Sequence, residues 1–117
     1  MSYMLLIVEP AGQRQTRSES EGRARYDRMV RFSAELKDRG LLTMSEALRT
    51  DTHGARITVR SGVPSVIDGP FAEAKEMIGG FFLLTCETRE QAIAIARECP
   101  AAQWATVEVR ELGSCVE

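Results

Sequence analysis

Several things are scarce in this chain, and each absence narrows what it can be. Fifteen Lys and Arg against seventeen Asp and Glu give a net charge of -2, with no basic stretch of the kind that holds a phosphate backbone. Nucleic acid is therefore not an expected partner. The arginines at 23, 25, 28 and 31 recur at helical spacing and read as the solvated face of a helix. No apolar segment is long enough to span a bilayer. The opening "YMLLIV" is six residues and lacks the basic flank of a targeting segment. Cys86, Cys99 and Cys115 make an odd count with no Cys-x-x-Cys spacing, which argues against a disulfide framework or a zinc knuckle. Cys86 and Cys99 fall in apolar patterns and read as small core residues, which suits the reducing cytoplasm. A single histidine, His53, has no acidic cluster around it, so neither a metal nor a cofactor is expected. Repeats, low-complexity runs and domain linkers are also missing. At 117 residues one domain over 1–117 is expected, large enough for a real core.

What is present has a clear order. Residues 3–8 are continuously apolar up to Pro10, the pattern of a strand covered on both faces. Ser18 and Glu21 have capping-box spacing. Beyond them Tyr26, Met29, Val30, Ser33 and Leu36 share one helical face, and Gly40 supplies the C-terminal cap. "LLTMSEALR" from 41 predicts a second strand. "ARITVR" alternates, and Ser61-Gly62 predicts a tight hairpin into "VPSVI", where Pro64 belongs at an edge. "GGFFLLTC" is a second run apolar on both faces. Thr88 and Gln91 repeat the capping spacing, with Ala92, Ile95, Ala96 and Cys99 on one face of a helix stopped by Pro100. "ATVEVRE" alternates with Val107 and Val109 inward. With the hairpin treated as an insertion, the order is βαββαβ, a ferredoxin-like α+β plan. In that plan the first and third main strands are central, and these are the two solidly apolar ones. Two helices cover only one face of such a sheet. A second copy packed sheet to sheet is expected over the other, giving a homodimer.

Between the hairpin and the third main strand lies "VIDGPFAEAKEMIGG". The chain here resembles the DGPF branch of the YCII-related proteins, small bacterial proteins of ferredoxin-like fold that pair into dimeric α/β barrels. The similarity extends over "YMLLI", "TVRSGVPSVIDGPFAEAKE", "GGFFLL" and "ATVEVRE". Ala74, Met77 and Ile78 stand where the branch has Thr, Gln and Leu. Within the wider family a His on the first helix paired with an Asp is thought to be catalytic, and one relative looks like a dehydrochlorinase of a chlorinated aromatic. This chain has no His on 18–39, so that pairing does not carry over. The resemblance also implies an association with extracytoplasmic-function sigma factors, hence a regulatory, non-catalytic alternative.

Two readings of the residues stay open. In the first, a small organic molecule binds near the DGPF turn, with Asp68 as acid/base in a cofactor-free lyase-like or dehydrochlorinase-like reaction. Phe71, Glu73, Lys75, Arg49 and His53 are then the candidate substrate-binding residues. In the second, Asp68 only accepts backbone N–H groups and caps a helical turn "FAEAKE". Phe71 is then a core anchor, and Glu73, Lys75, Arg49 and His53 are solvated. Gly79 and Gly80 either admit a ligand to the backbone or begin a twisted strand. Trp104 reads as packing between the last helix and strand.

Overall fold

The computed structural model describes residues 2–116. Six strands and two helices follow in the order β1 (Ser2–Pro10), α1 (Glu19–Asp38), β2 (Leu42–Ala47), β3 (Ala55–Arg60), β4 (Val63–Asp68), β5 (Glu76–Thr85), α2 (Arg89–Glu98) and β6 (Thr106–Glu111). Four strands form an antiparallel sheet ordered β2-β5-β1-β6. The architecture is α+β and compatible with the ferredoxin-like plan. The two most apolar strands, β1 and β5, are central. β3 and β4 pair only with each other, through a turn in which Ser61 and Gly62 both have positive φ, the type I′ geometry of two-residue hairpins.

Both helix starts follow their sequence signals. The Ser18 hydroxyl accepts the Glu21 N–H and the Thr88 hydroxyl accepts that of Gln91, each at 3.1 Å. The Gln91 side chain returns a bond to the Glu87 N–H. α1 ends in a Schellman motif: Gly40 N–H bonds to the Lys37 carbonyl and Leu41 N–H to that of Leu36, with Gly40 at φ 71°.

The core lies between the sheet and the helices. Tyr3, Leu5 and Ile7 of β1 and Phe82 and Leu84 of β5 point into it, meeting Phe32 and Leu36 of α1, Ala92 and Ile95 of α2, and Cys99 just beyond its end. Phe32 and Phe82 pack edge to face at 5.3 Å, a contact worth about 0.5–1.5 kcal/mol beyond burial. α2 buries the face its spacing predicts. α1 does not: its core stripe is Met29, Phe32 and Leu36, while Tyr26 and Val30 are exposed. The two stripes are adjacent on the helix, so Met29 and Leu36 fit either pattern; Phe32 decides by its edge-to-face contact with Phe82.

On the opposite face of the sheet lie Met4, Leu6, Val8, Phe81 and Leu83, half-buried, with Met44 and Ile78 exposed. The strands are apolar on both sides as expected, but the chain covers one side only. Its shape agrees: 47 × 42 × 18 Å, with a radius of gyration of 16.0 Å against about 13 Å for a compact chain of this length. The β3–β4 hairpin contributes to that spread, since every residue in it is exposed.

Candidate functional site

Alternation along β1 sends Tyr3, Leu5, Ile7 and then Glu9 toward the helices, so a carboxylate arrives where the core pattern demands an apolar side chain. Glu9 is 6 % exposed. A charge there needs a partner, and the chain supplies one five residues on. Gly12, at φ 83°, turns the backbone into a short helical turn over Gln13–Thr16, which brings Arg14 back over the end of β1. Its Nε donates to Glu9 Oε1 at 2.7 Å and its Nη2 to Oε2 at 3.2 Å. Nη1 donates to the Leu48 carbonyl at 2.8 Å, and Nη2 also reaches the Gly79 carbonyl. One guanidinium thus ties β1, β5 and the end of β2 together, with the bidentate geometry that suits arginine.

This ion pair accounts for Gly79, and the β2 backbone for Gly80. β5 has an irregularity opposite Ile7 and Val8, where Gly79 is the extra residue. A Cβ on Gly79 would run into the Glu9 carboxylate, and one on Gly80 would lie 2.9 Å from the Glu46 carbonyl of β2. The glycines admit the chain's own side chains and backbone.

Above the pair lies a cavity of about 470 Å³ between α1 and the sheet, within the range of small-molecule sites. Glu9, Arg14, Gly79, Gly80 and Phe82 line it from the sheet, and Arg25, Tyr26, Met29, Val30 and Lys37 from α1. The apolar residues of α1 left out of the core, Tyr26 and Val30, therefore border this cavity. Trp104 lies at its end with Arg25 and Arg28 over its ring at 5.1 and 5.2 Å. Arg23 and Arg31 are exposed, while Arg25 and Arg28 are half-buried. Half of the arginine cluster is thus solvated, as its spacing predicts, and half lies over Trp104 in cation–π contact.

The DGPF corner is a separate place. Asp68 ends β4 opposite Ala55, exposed, with no side-chain hydrogen bond among the described residues. The expected capping role belongs instead to Asp51, whose carboxylate accepts the Phe71 N–H and the Thr50 hydroxyl, both at 3.4 Å. Residues 71–74 form a turn rather than a helical segment. Gly69, joined to Pro70 by a cis peptide bond, lies directly on the Asp51 carbonyl, where any Cβ would collide. That close approach explains the glycine, and Asp51 could not be found from spacing because it lies far from the turn in sequence. Phe71 is half-buried, with the Arg56 guanidinium 4.0 Å above its ring.

A smaller cavity of about 310 Å³ lies here, lined by residues that include Arg49, Asp51, Arg56, Phe71 and Ile78. Of the residues singled out from sequence, Arg49 and Phe71 meet in it. Asp68, Glu73, Lys75 and His53 are exposed and lie outside its lining. Glu9, Arg14 and Arg17 carried a missed signal: Glu9 continues the inward phase of Tyr3, Leu5 and Ile7 one step beyond the apolar run.

Among the described residues no cluster of three His, Cys, Asp or Glu could hold a metal, and no helix is long and apolar enough to cross a membrane. Burial pushes the Cys86 and Cys99 thiols above their ordinary range, with bonds from the Ala101 and Ala102 backbone partly opposing this at Cys99.

The model of the YCII-related domain matches residues 1–114. The chain belongs to the YCII-related family. It is also similar to an uncharacterised protein of Rhizobium meliloti (strain 1021), 40 % identical over 63 residues. That match spans 52 % of this chain and 51 % of the relative. In this member of the family, α1 presents arginines and a tyrosine toward the cavity, and no histidine.

Proposed function

We propose that this YCII-related protein binds a small organic molecule in the cavity between α1 and the sheet. One observation carries the reading: the apolar alternation of β1 is interrupted by a buried carboxylate–guanidinium pair, Glu9–Arg14, on the floor of a cavity of about 470 Å³. A core built only for stability gains little from such a pair, because desolvation offsets the attraction. Bordering a cavity, it supplies a fixed dipole and a carboxylate with free lone pairs to a guest. The protein acts as a homodimer of the dimeric α/β-barrel type, with the β3–β4 hairpin as an insertion in βαββαβ. Support for this comes from the uncovered sheet face bearing Leu6, Phe81 and Leu83.

A second reading, within the DGPF branch, places the guest at the DGPF corner with Asp68 as acid/base for a lyase-like or dehydrochlorinase-like step. The cavity that unites Arg49 and Phe71 supports a guest at this corner, with Asp68 outside its lining. A regulatory module linked to sigma factors would use either cavity without turnover. A fragment screen by nitrogen–proton NMR separates these readings. Hits in the helix cavity shift the Gly22, Ser33 and Gly80 amides. Hits that shift only Gly54 and Phe71 sink the first reading in favour of the second. In the same samples, light scattering should give twice the 13.0 kDa of one chain; a single-chain mass refutes the dimer.

A further inference from the structure

The charges around the helix cavity do not balance. Arg14 is matched by Glu9. Arg17, Arg25 and Lys37 also line the cavity, with only the carboxylate of Glu46 beside them. None of these four forms an ion pair among the described residues. Three cations facing one acid leave the hollow net positive, with Arg17 and Arg25 half-buried and Lys37 and Glu46 at its solvent edge.

Arg25 stands out among them. Its guanidinium carbon lies over the Trp104 ring at 5.1 Å, as does that of Arg28 at 5.2 Å. A cation–π contact satisfies none of the guanidinium N–H donors as hydrogen bonds. Arg28 finds an acceptor by donating to Gln103 Oε1 at 3.1 Å. Arg25 does not: its Nη1 is buried without an acceptor among the described residues. A charged donor withdrawn from water and left unmatched is costly, and an anionic guest would remove that cost. The apolar part of the lining, which includes Met29, Val30, Phe82 and the Trp104 ring, suits an apolar or flat body.

Resting on the reading that this cavity is the binding site, we propose that its ligand is an organic carboxylate on an apolar or aromatic body. The carboxylate is held edge-on by Arg25, with Arg17 and Lys37 adding to the field. A carboxylate fits the planar fork of a guanidinium, and the apolar lining distinguishes it from a bare oxyanion.

The test uses three probes on the wild-type protein: benzoate, its neutral isostere benzamide, and inorganic phosphate. Trp104 is the sole tryptophan, so its fluorescence reports the site directly, and the Gly22, Ser33 and Gly80 amides localise it by NMR. Benzoate should quench Trp104, shift those amides, and bind at least about tenfold more tightly than benzamide, the factor expected for one charge-assisted contact. Phosphate should bind more weakly than benzoate. Arg25→Gln, checked for folding by circular dichroism, should remove most of the preference for benzoate over benzamide, leaving only the part due to Arg17 and Lys37. Equal binding of benzoate and benzamide at the cavity amides would overturn the anionic class while leaving the cavity as the site. Phosphate binding as tightly as benzoate would overturn the apolar body. No shift at the cavity amides with any probe would overturn this proposal and the underlying reading together. The wild-type comparison decides the matter even if the variant does not fold.

Discussion

Replacing Arg14 by methionine removes the partner of a carboxylate that the fold has placed in its core. The Glu9 side chain is 8 % exposed and that of Arg14 23 %. Breaking a fully buried pair costs about 3–5 kcal/mol, because the remaining charge stays uncompensated. Arg14 reaches solvent at one side, so water can partly rehydrate the site, and the lower end, about 3 kcal/mol, is expected for Arg14→Met. Glu9→Met should cost less, about 1–2 kcal/mol, since Arg14 keeps the Leu48 and Gly79 carbonyls as acceptors. The double variant has no buried charge and nearly conserved volume, and such replacements are often close to neutral. It should therefore lie within about 1 kcal/mol of wild type, far above the sum of the single changes. Urea denaturation followed by circular dichroism, at one fixed protein concentration, measures all three. Between the size classes for which such conversions are known, each kcal/mol moves the melting temperature by roughly 3–6 °C, so Arg14→Met should lose about 9–18 °C. A loss below about 1 kcal/mol for Arg14→Met, or a double variant no better than the added singles, would refute the ion pair as an organising contact.

The DGPF corner offers a contrast between two acids. Asp51→Ala should cost about 0.5–2 kcal/mol, as loss of a capping carboxylate does, whereas Asp68→Ala should be nearly neutral in thermal melts. Equal losses at both positions would contradict the assignment of the cap to Asp51. Thiol labelling tests the cysteines: exposed Cys115 should react with Ellman's reagent at once, and buried Cys86 and Cys99 only on unfolding. Because burial raises their pKa, the unfolded chain releases these protons first. Their contribution to stability is complete below the ordinary thiol range and declines as pH rises above it. Melting that is flat from neutral pH to about pH 10, where the unfolded thiols of the reference range have ionised, would count against this.

The order of elements was legible in the chain because it depends on local chemistry. Capping side chains at Ser18 and Thr88, glycine at 40 and 62, and the two apolar runs each act within a few residues, and the antiparallel sheet with β1 and β5 central follows from them. The inward phase of α2 was legible for the same reason. What lay outside local chemistry is where sequence and structure part. α1 carries two adjacent apolar stripes, and only the position of Phe82 on a distant strand makes Phe32 the core residue and leaves Tyr26 and Val30 beside a cavity. Asp51 and Phe71 are twenty residues apart, so the acid seventeen residues nearer in sequence drew attention that the fold gives to another. The double glycine could be seen as a close approach, but not as an approach by Glu9 and Arg14 at Gly79 and by the β2 backbone at Gly80, which arrive from distant parts of the chain. Periodicity shows which way a side chain points from its own strand or helix. What it meets there depends on segments brought together by long-range packing, and the helix cavity and the DGPF-corner cavity are built from such meetings.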